Sequence, residues 1–202
     1  WVRITLSNRL STTAYDAVAA FDPVHTRTIV LNRLDNVIRT HTLSEEGWAV
    51  LPGEETLPEA ATHGLAFDPV HQRMVLSLVR DNVYEVWTMS MLEESGWEQA
   101  GVLEFTPSTR PLVWDERSCG FLMASQGEDC QVELWLMRLS ENNGAFELDV
   151  TQRTRFGLAE PSYAQGAMYL DTERDRLVMA GGIECGGQDW YLDVLDVVPL
   201  VR

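Results

Sequence analysis

The sequence predicts an all-β fold in which one β-unit is repeated four times. The first observation is that four segments resemble one another: AVAAFDPVHTRTIVLN at 17–32, GLAFDPVHQRMVLS at 64–77, PLVWDERSCGFLMAS at 111–125 and GAMYLDTERDRLVMAG at 166–181. The second is that the Asp residues of these segments, Asp22, Asp68, Asp115 and Asp171, follow one another at intervals of 46, 47 and 56 residues. Repeats of this length are typical of architectures in which each repeat is one supersecondary unit.

The first two strands of each repeat are predicted to form a β-hairpin. Apolar residues alternate or cluster on both sides of the Asp, and a short turn lies between them. In repeats one and two the Asp is followed by Pro, which fixes φ at the first corner of a turn. An Arg stands five residues after the Asp in repeats one, two and four, and Gly120 takes that place in repeat three. Because the Asp and the Arg recur, we expect them to stabilise the turn rather than to catalyse a reaction.

A third strand rich in β-branched and aromatic residues follows each hairpin, and an aromatic-led fourth strand follows the third in repeats one to three. The predicted third strands are Val37–Leu43, Val83–Met89, Val132–Leu139 and Trp190–Leu195, and the predicted fourth strands begin at Gly47, Gly96 and Gly144. Four short strands in roughly 45–55 residues have the dimensions of one β-propeller blade. The sequence therefore predicts a β-propeller with four four-stranded blades.

Repeat four has no closing strand of its own. The opening segment Trp1–Leu6 has the character of a fourth strand, and we expect it to complete the last blade and remove an unpaired edge. This predicts a single propeller domain with repeats at about 14–51, 62–103, 109–150 and 164–202 plus 1–6. The pattern agrees with two architectures. The four blades form a closed ring, or they are part of a larger ring.

The repeats resemble those of the kelch family. The shared pattern is two apolar residues, Asp, four residues, Arg and two further apolar positions, followed by a Gly pair and a strand with Trp or Tyr. Repeat four matches it best, with Gly181-Gly182 and Trp190-Tyr191. Repeats one to three lack the Gly pair, repeat three lacks the Arg, and kelch propellers more often have more than four blades. The resemblance covers almost the whole chain and implies a propeller with one four-stranded blade per repeat.

The charge balance restricts the classes of partner. The chain has 15 Lys and Arg against 31 Asp and Glu, a net charge of −16. This charge argues against nucleic acids, whose phosphates require a basic surface. It also argues against anionic membrane surfaces, and no apolar run is long enough for membrane insertion. The acidic surface is compatible with cationic partners or Ca²⁺, and it is equally explained by solubility alone.

The three cysteines, Cys119, Cys130 and Cys185, lack the spacing of a zinc site. Cys130 and Cys185 lie 15 and 14 residues after the Asp of their repeats, and so in corresponding loops. A disulfide between them is one interpretation, and it would require a short Cα separation. Such a bridge would indicate an oxidising compartment, which favours an extracellular or periplasmic location over the cytoplasm. The alternative is three unpaired thiols, with Cys119 buried in a strand.

No group of residues in the sequence has the pattern of a known catalytic site. The four histidines form no metal-ligand motif, and a G-x-S-x-G nucleophile motif is missing. His25 and His71 occupy the same position in repeats one and two and are predicted to be turn residues. We therefore expect no catalytic residue, no cofactor and no enzymatic activity.

The loops between second and third strands are the predicted recognition surface, because loops on a rigid scaffold often carry binding residues. The candidate partner-binding residues are Arg33, Asp35, Asn36, Arg80, Asp81, Asn82, Glu128, Asp129 and Glu184 in these loops, with Arg110 and Arg155 in the connections between repeats. Acidic residues also recur just before the third strands, as Asp35, Asp81, Asp129 and Asp189. They are candidate Ca²⁺ ligands at one mouth of the channel, or each bonds local backbone donors.

The predicted function is a non-enzymatic module for protein interaction or assembly that acts through this loop face. The alternative is a ligand-binding, carbohydrate-binding or enzymatic propeller with a site at the mouth of the central channel. A third option is a structural part of a larger propeller. The first option requires a protein partner, and the sequence identifies no small-molecule ligand for the second.

Overall fold

The structure is a computed structural model, and it describes residues 15–34, 37–44, 47–51, 57–94, 96–103, 112–126, 132–142, 145–156, 167–174, 176–183 and 190–199. Every regular element in these ranges is a β-strand, so the predicted all-β class is confirmed. Within the same ranges, no helix has the length and apolar character needed to cross a membrane. The chain divides into two compact units, Trp1–Ala100 and Gly101–Arg202.

Unit one contains two antiparallel meanders. Sheet one consists of β1 (Tyr15–Asp22), β2 (Arg27–Leu34), β3 (Val37–Ser44) and β4 (Gly47–Val50), in chain order. Sheet two consists of β5 (Ala61–Asp68), β6 (Arg73–Arg80), β7 (Val83–Ser90) and β8 (Glu98–Leu103), and the end of β8 passes into unit two. Each strand pairs with its neighbours in sequence, as a repeat of hairpins requires.

Unit two contains the other two sheets. Sheet three consists of β9 (Val113–Asp115), β10 (Gly120–Gln126), β11 (Val132–Asn142) and β12 (Ala145–Phe156). In the described part of the chain, sheet four has three strands, β13 (Ala167–Asp171), β14 (Arg176–Ile183) and β15 (Trp190–Pro199). The segment Trp1–Leu6 lies outside the described residues, so its place in the last blade stays a prediction.

The third strands begin at the predicted residues and run further than predicted. They end at Ser44, Ser90, Asn142 and Pro199 instead of Leu43, Met89, Leu139 and Leu195. Two of the predicted fourth-strand starts are glycines with positive φ, +113° at Gly47 and +99° at Gly96. Since side-chain-bearing residues rarely adopt these angles, the glycines allow the chain to reverse into the fourth strand.

The core of unit one lies between sheets one and two. Ile29 and Leu31 alternate along β2 and lie on one face of sheet one, and Met74 and Leu76 do the same on β6 of sheet two. Thr40 of β3 accepts a hydrogen bond of 3.2 Å from Nε1 of Trp97, which precedes β8. The shared core and this bond hold the two sheets together as neighbouring blades.

In unit two, buried apolar residues occupy both faces of the hairpin formed by β10 and β11. They include Phe121, Leu122, Met123, Leu134, Leu136 and Met137. The first strands of sheets three and four, β9 and β13, contact each other, as β1 and β5 do in unit one. A strand that is buried on both faces has a continuous run of apolar residues. This explains why apolar and polar residues alternate only weakly in the sequences of β10 and β11.

Candidate functional site

Each sheet has two ends that differ in chemistry. We call the end with the Asp-containing turn between the first and second strands the turn end. The connection between the second and third strands lies at the opposite end, which we call the loop end. The sequence predicts recognition at the loop end, and the recurring Asp and Arg residues lie at the turn end.

Asp22 is buried in the turn of sheet one, and hydrogen bonds engage both of its carboxylate oxygens. Oδ1 accepts bonds from the backbone N–H groups of Val24 (2.9 Å) and His25 (3.3 Å). Oδ2 bonds Nδ1 of His25 (2.9 Å) and Nε of Arg27 (3.0 Å). A carboxylate used in this way holds the turn closed, which agrees with the expected structural role of the recurring Asp and Arg.

The same turn is built in sheets two and four. In sheet two, Asp68 accepts bonds from the backbone of Val70 (2.8 Å) and His71 (3.2 Å), and it bonds Nδ1 of His71 (2.7 Å). In sheet four, Oδ2 of Asp171 accepts bonds from Arg174 (2.9 Å) and Arg176 (3.0 Å). The bond from Arg174, opposed in part by burial and reinforced by Arg176, lowers the pKa of Asp171 to about 2.

The fourth residue after the Asp adopts the left-handed conformation in each of the three turns where it is described. The φ angles are +53° at Thr26, +51° at Gln72 and +46° at Cys119. Cys119 is therefore a turn residue and is exposed, and the prediction that it is buried in a strand is wrong. The four-residue turn needs one such residue to return the chain into the second strand.

Sheet three closes its turn with an arginine from a different strand. In sheet two, Arg73 of β6 lies opposite Ser90 of β7. In sheet three, the register that pairs Phe121 with Met137 continues to Gly120 and Arg138. Nε of Arg138 donates a 2.9 Å hydrogen bond to the carbonyl of Ser118 in the turn. The arginine missing from β10 is thus replaced by one on β11.

At the loop end of sheet two, a two-residue hairpin connects β6 to β7. Asp81 and Asn82 both have positive φ, +52° and +63°, which is the conformation of a type I′ turn. Arg80 and Val83 pair across it. The side chains of Arg80, Asp81 and Asn82 are all exposed, so the turn presents three polar groups in one fixed backbone conformation.

A buried carboxylate supports this turn. Glu85 on β7 lies almost entirely out of solvent, and its carboxylate accepts bonds from Nη2 of Arg80 (2.5 Å) and Nε1 of Trp87 (2.9 Å). On the same strand, the Tyr84 hydroxyl bonds Nδ1 of His63 at 2.7 Å. We refer to Arg80, Asp81, Asn82 and Glu85 as the Arg80 loop. The sequence identified its three exposed members and missed Glu85.

The loop end differs between repeats at the position of Glu85. The residue ten positions after the repeat Asp pairs with a different residue type in each sheet. Asn32 pairs with Arg39 in sheet one, Leu78 with Glu85 in sheet two, and Ser125 with Glu133 in sheet three. In sheet one, Oδ1 of Asn32 and Nε of Arg39 are buried and have no hydrogen-bond partner among the described residues. The recurrence of Glu-x-Trp at 85–87 and 133–135 was the signal in the sequence for this position.

The other predicted site residues are placed only in part. Arg33 lies on β2 and Arg155 on β12. The remaining predicted residues are outside the described ranges: Asp35, Asn36, Arg110, Glu128, Asp129, Cys130, Glu184, Cys185 and Asp189. Across the described ranges no three His, Cys, Asp or Glu side chains cluster as a metal site. The Ca²⁺ site and the Cys130–Cys185 disulfide stay predictions.

No protein-family model matches this chain, and no curated protein matches it. Among solved structures, it is similar to TolB from Acinetobacter baumannii, with 12% identity and a TM-score of 0.54 over 89% of this chain and 40% of TolB. A Lactobacillus plantarum protein gives 14% identity and a TM-score of 0.49, covering 88% of this chain and 55% of that protein. A chain of a nidogen/laminin complex gives 14% and 0.46, covering 87% and 62%.

The chain therefore spans less than two thirds of the length of each of these structures. At identities this low the likeness concerns the fold alone. TolB is a propeller protein, and its TM-score supports the assignment together with the four antiparallel meanders. The chain has a β-propeller-type fold.

Proposed function

We propose that this chain is a kelch-like β-propeller module without enzymatic activity, and that it binds a protein partner through the loop end of its sheets. The observation that carries the proposal is the Arg80 loop. It offers a cation, an anion and an amide to solvent on a turn whose backbone conformation is fixed at two successive residues.

The rigidity of the Arg80 loop favours recognition. Binding is weakened by the entropy lost when side chains and loops become ordered, so a turn that is already ordered loses less. The bond from Arg80 to the buried Glu85 orients the guanidinium before a partner arrives. Arginine has several N–H donors, and those not used by Glu85 are left for a partner. Arginine is also enriched at protein interfaces.

The contrast between the two ends of the sheets also supports this proposal. At the turn end the Asp and its bonding pattern recur from repeat to repeat. At the loop end the equivalent position changes from arginine in sheet one to glutamate in sheets two and three. A constant end that serves the scaffold and a variable end that serves recognition is the usual arrangement in repeat proteins.

The test is capture of partners from the native source by the whole chain, followed by mass spectrometry. We expect Arg80→Ala and Asp81→Asn each to reduce the amount of a captured partner by about tenfold or more. Arg117→Ala and Glu116→Gln make matched changes of charge at the turn end of sheet three and leave capture unchanged. Thermal unfolding confirms that each variant is folded, and Asp81→Asn decides the matter if loss of Arg80 weakens the fold.

Capture that is the same for native chain and loop variants would overturn the proposal. So would capture that falls equally with the turn-end controls, because the effect would then follow net charge rather than the Arg80 loop. A partner lost only with the loop variants supports the proposed function.

A further inference from the structure

We infer that the turn end of unit one carries a second binding surface, an apolar strip that accepts a protein segment in which an apolar residue is flanked by Lys or Arg. The strip consists of Val24 in the turn of sheet one, Val70 in the turn of sheet two, and Leu92 in the connection from β7 to β8. This surface lies at the opposite end of the sheets from the Arg80 loop and does not depend on it.

The three side chains are apolar and exposed to solvent. Val24 is 39% exposed, Val70 59% and Leu92 67%. A single exposed apolar residue is ordinary, but a group of them that lies together is a feature of interaction sites. Val24 and Val70 are also the same residue of the repeated Asp-Pro-Val-His turn, so two copies of one exposed side chain are presented by neighbouring sheets.

A hydrogen bond and an ion pair connect the segment that contains Leu92 to both turns. The backbone N–H of Met91 donates a 3.0 Å bond to the carbonyl of Gln72, in the turn of sheet two. The carboxylate of Glu94 pairs with the guanidinium of Arg27, which follows the turn of sheet one. The segment 91–94 therefore bridges both turns, and Leu92 lies within that bridge.

The bridging segment is ordered by hydrogen bonds to Ser90. Oγ of Ser90 accepts bonds from the N–H groups of Leu92 (3.3 Å) and Glu93 (3.4 Å), and the carbonyl of Ser90 accepts one from Glu94 (3.1 Å). Glu94 adopts a left-handed conformation with φ +48°. Because the strip is held in place in this way, little order is lost when a partner covers it.

Charge selects the kind of partner. In the ion pairs that Glu94 and Glu98 make at this end, the carboxylate is the more exposed partner: Arg27 is 14% exposed against 29% for Glu94, and Arg73 is 17% exposed against 54% for Glu98. Glu93, beside Leu92, is exposed as well. The strip is thus an apolar patch with an acidic rim on a chain of net charge −16. A segment with cationic residues around an apolar one is complementary to it.

The experiment uses three synthetic nine-residue peptides and the whole chain. The first peptide has leucines between lysines, the second replaces the leucines with serine, and the third replaces the lysines with glutamate. Fluorescence anisotropy measures the dissociation constants. We expect the first peptide to bind at least about tenfold more tightly than either of the others, a difference of about 1.4 kcal/mol.

Variants locate the binding. The triple change Val24→Ser, Val70→Ser and Leu92→Ser should weaken binding of the first peptide by about tenfold or more. The control Val50→Ser with Val102→Ser removes two exposed apolar side chains on β4 and β8 and should leave binding unchanged. Arg80→Ala should also leave it unchanged, and this separates the strip from the proposed function at the loop end. Leu92→Ser alone decides the matter if the triple variant unfolds.

Three results would overturn the inference. The first is that the leucine and serine peptides bind equally, which would leave charge as the only attraction. The second is that the triple variant binds like the native chain. The third is that the control pair or Arg80→Ala weakens binding as much as the strip variant.

Discussion

Sheets one and three stabilise the same turn with arginines from different strands. In sheet one, Arg27 on the second strand bonds the carboxylate of Asp22 directly. In sheet three, Gly120 occupies the position of Arg27 on the second strand. Arg138 on the third strand bonds the turn carbonyl of Ser118 instead. The guanidinium is present at both turns, although it is not at the same place in the repeat.

This difference shows that an arginine can reach the turn from either the second or the third strand. An arginine on either side of the strand pair reaches the turn, because residues directly opposite in an antiparallel pair have Cβ atoms only about 5 Å apart. The consequence also differs: Asp22 is bound by its arginine, and the carboxylate of Asp115 is not bound by Arg138. Three predictions test this comparison, and a fourth concerns the equivalent turn of sheet four.

The largest effect is expected at Asp22. Asp22→Ala removes the buried carboxylate that bonds the backbone N–H groups of Val24 and His25 and the side chains of His25 and Arg27. We expect a loss of about 3 kcal/mol in the free energy of unfolding. Asp115→Ala should cost less, about 1–2 kcal/mol, because the guanidinium of Arg138 bonds the carbonyl of Ser118 and keeps that partner. Urea unfolding of both variants measures the difference. Equal losses would show that the arginine bond to Asp22 contributes little.

Gly120→Ala should come next. A Cβ at this position would lie 2.7 Å from the backbone carbonyl oxygen of Met137 and 3.0 Å from Cγ of Arg138. The backbone contact cannot be relieved by a rotamer change, so we expect a destabilisation of about 2 kcal/mol. Thermal unfolding against Ala145→Ser, an exposed change on β12 of the same sheet, provides the measurement and its control. A variant as stable as the native chain would mean that sheet three adjusts without cost.

Moving the arginine from position 138 to position 120 tests whether the two positions are equivalent. Gly120→Arg with Arg138→Ser reproduces in sheet three the Arg–Ser pair of sheet two. The double variant should be more stable than the sum of the single changes predicts, with a coupling of about 1 kcal/mol. A double-mutant cycle by urea unfolding measures it. Strict additivity would show that the two positions do not substitute for each other.

The smallest effect concerns pH at sheet four. The pKa of Asp171 is lowered from 3.8 to about 2, so the folded state holds this carboxylate ionised more strongly than the unfolded state does. Its stabilising contribution is complete above pH 3.8 and is lost as the pH falls through about 2. Arg174→Ala removes the largest cause, and the pKa should move back toward 3.8, as an NMR titration of the carboxyl carbon would show. An unchanged pKa would assign the shift to Arg176 instead.

Local sequence was sufficient to predict the repeated fold. The turn Asp, the apolar residues around it and the starts at Val37, Val83 and Val132 all follow from nearest-neighbour patterns. The substitution of Arg138 for the missing arginine does not, because it depends on which residues face each other across β10 and β11. That register depends on the length of the connection between Gln126 and Val132, which differs from the two-residue turn of sheet two.

The candidate site was predictable in its exposed part only. Arg80, Asp81 and Asn82 stand out as polar residues between two apolar strands. Glu85 lies within a strand, and the recurrence of Glu-x-Trp at 85–87 and 133–135 marks its position without showing whether the glutamate faces solvent or a neighbouring sheet. Its burial depends on packing between sheets one and two, which sequence patterns within one repeat do not contain.

The residue with left-handed backbone conformation in each turn is a suitable site for a covalent label. Cys119 exposes a thiol at this position, and Thr26 and Gln72 hold the same place in sheets one and two. If Cys130 and Cys185 are replaced with serine and either Thr26 or Gln72 is replaced with cysteine, the chain has two cysteines for fluorescent dyes. These are Cys119 and the new cysteine, at equivalent positions of separate repeats. Fluorescence energy transfer between the dyes would then measure the distance between the two repeats in solution.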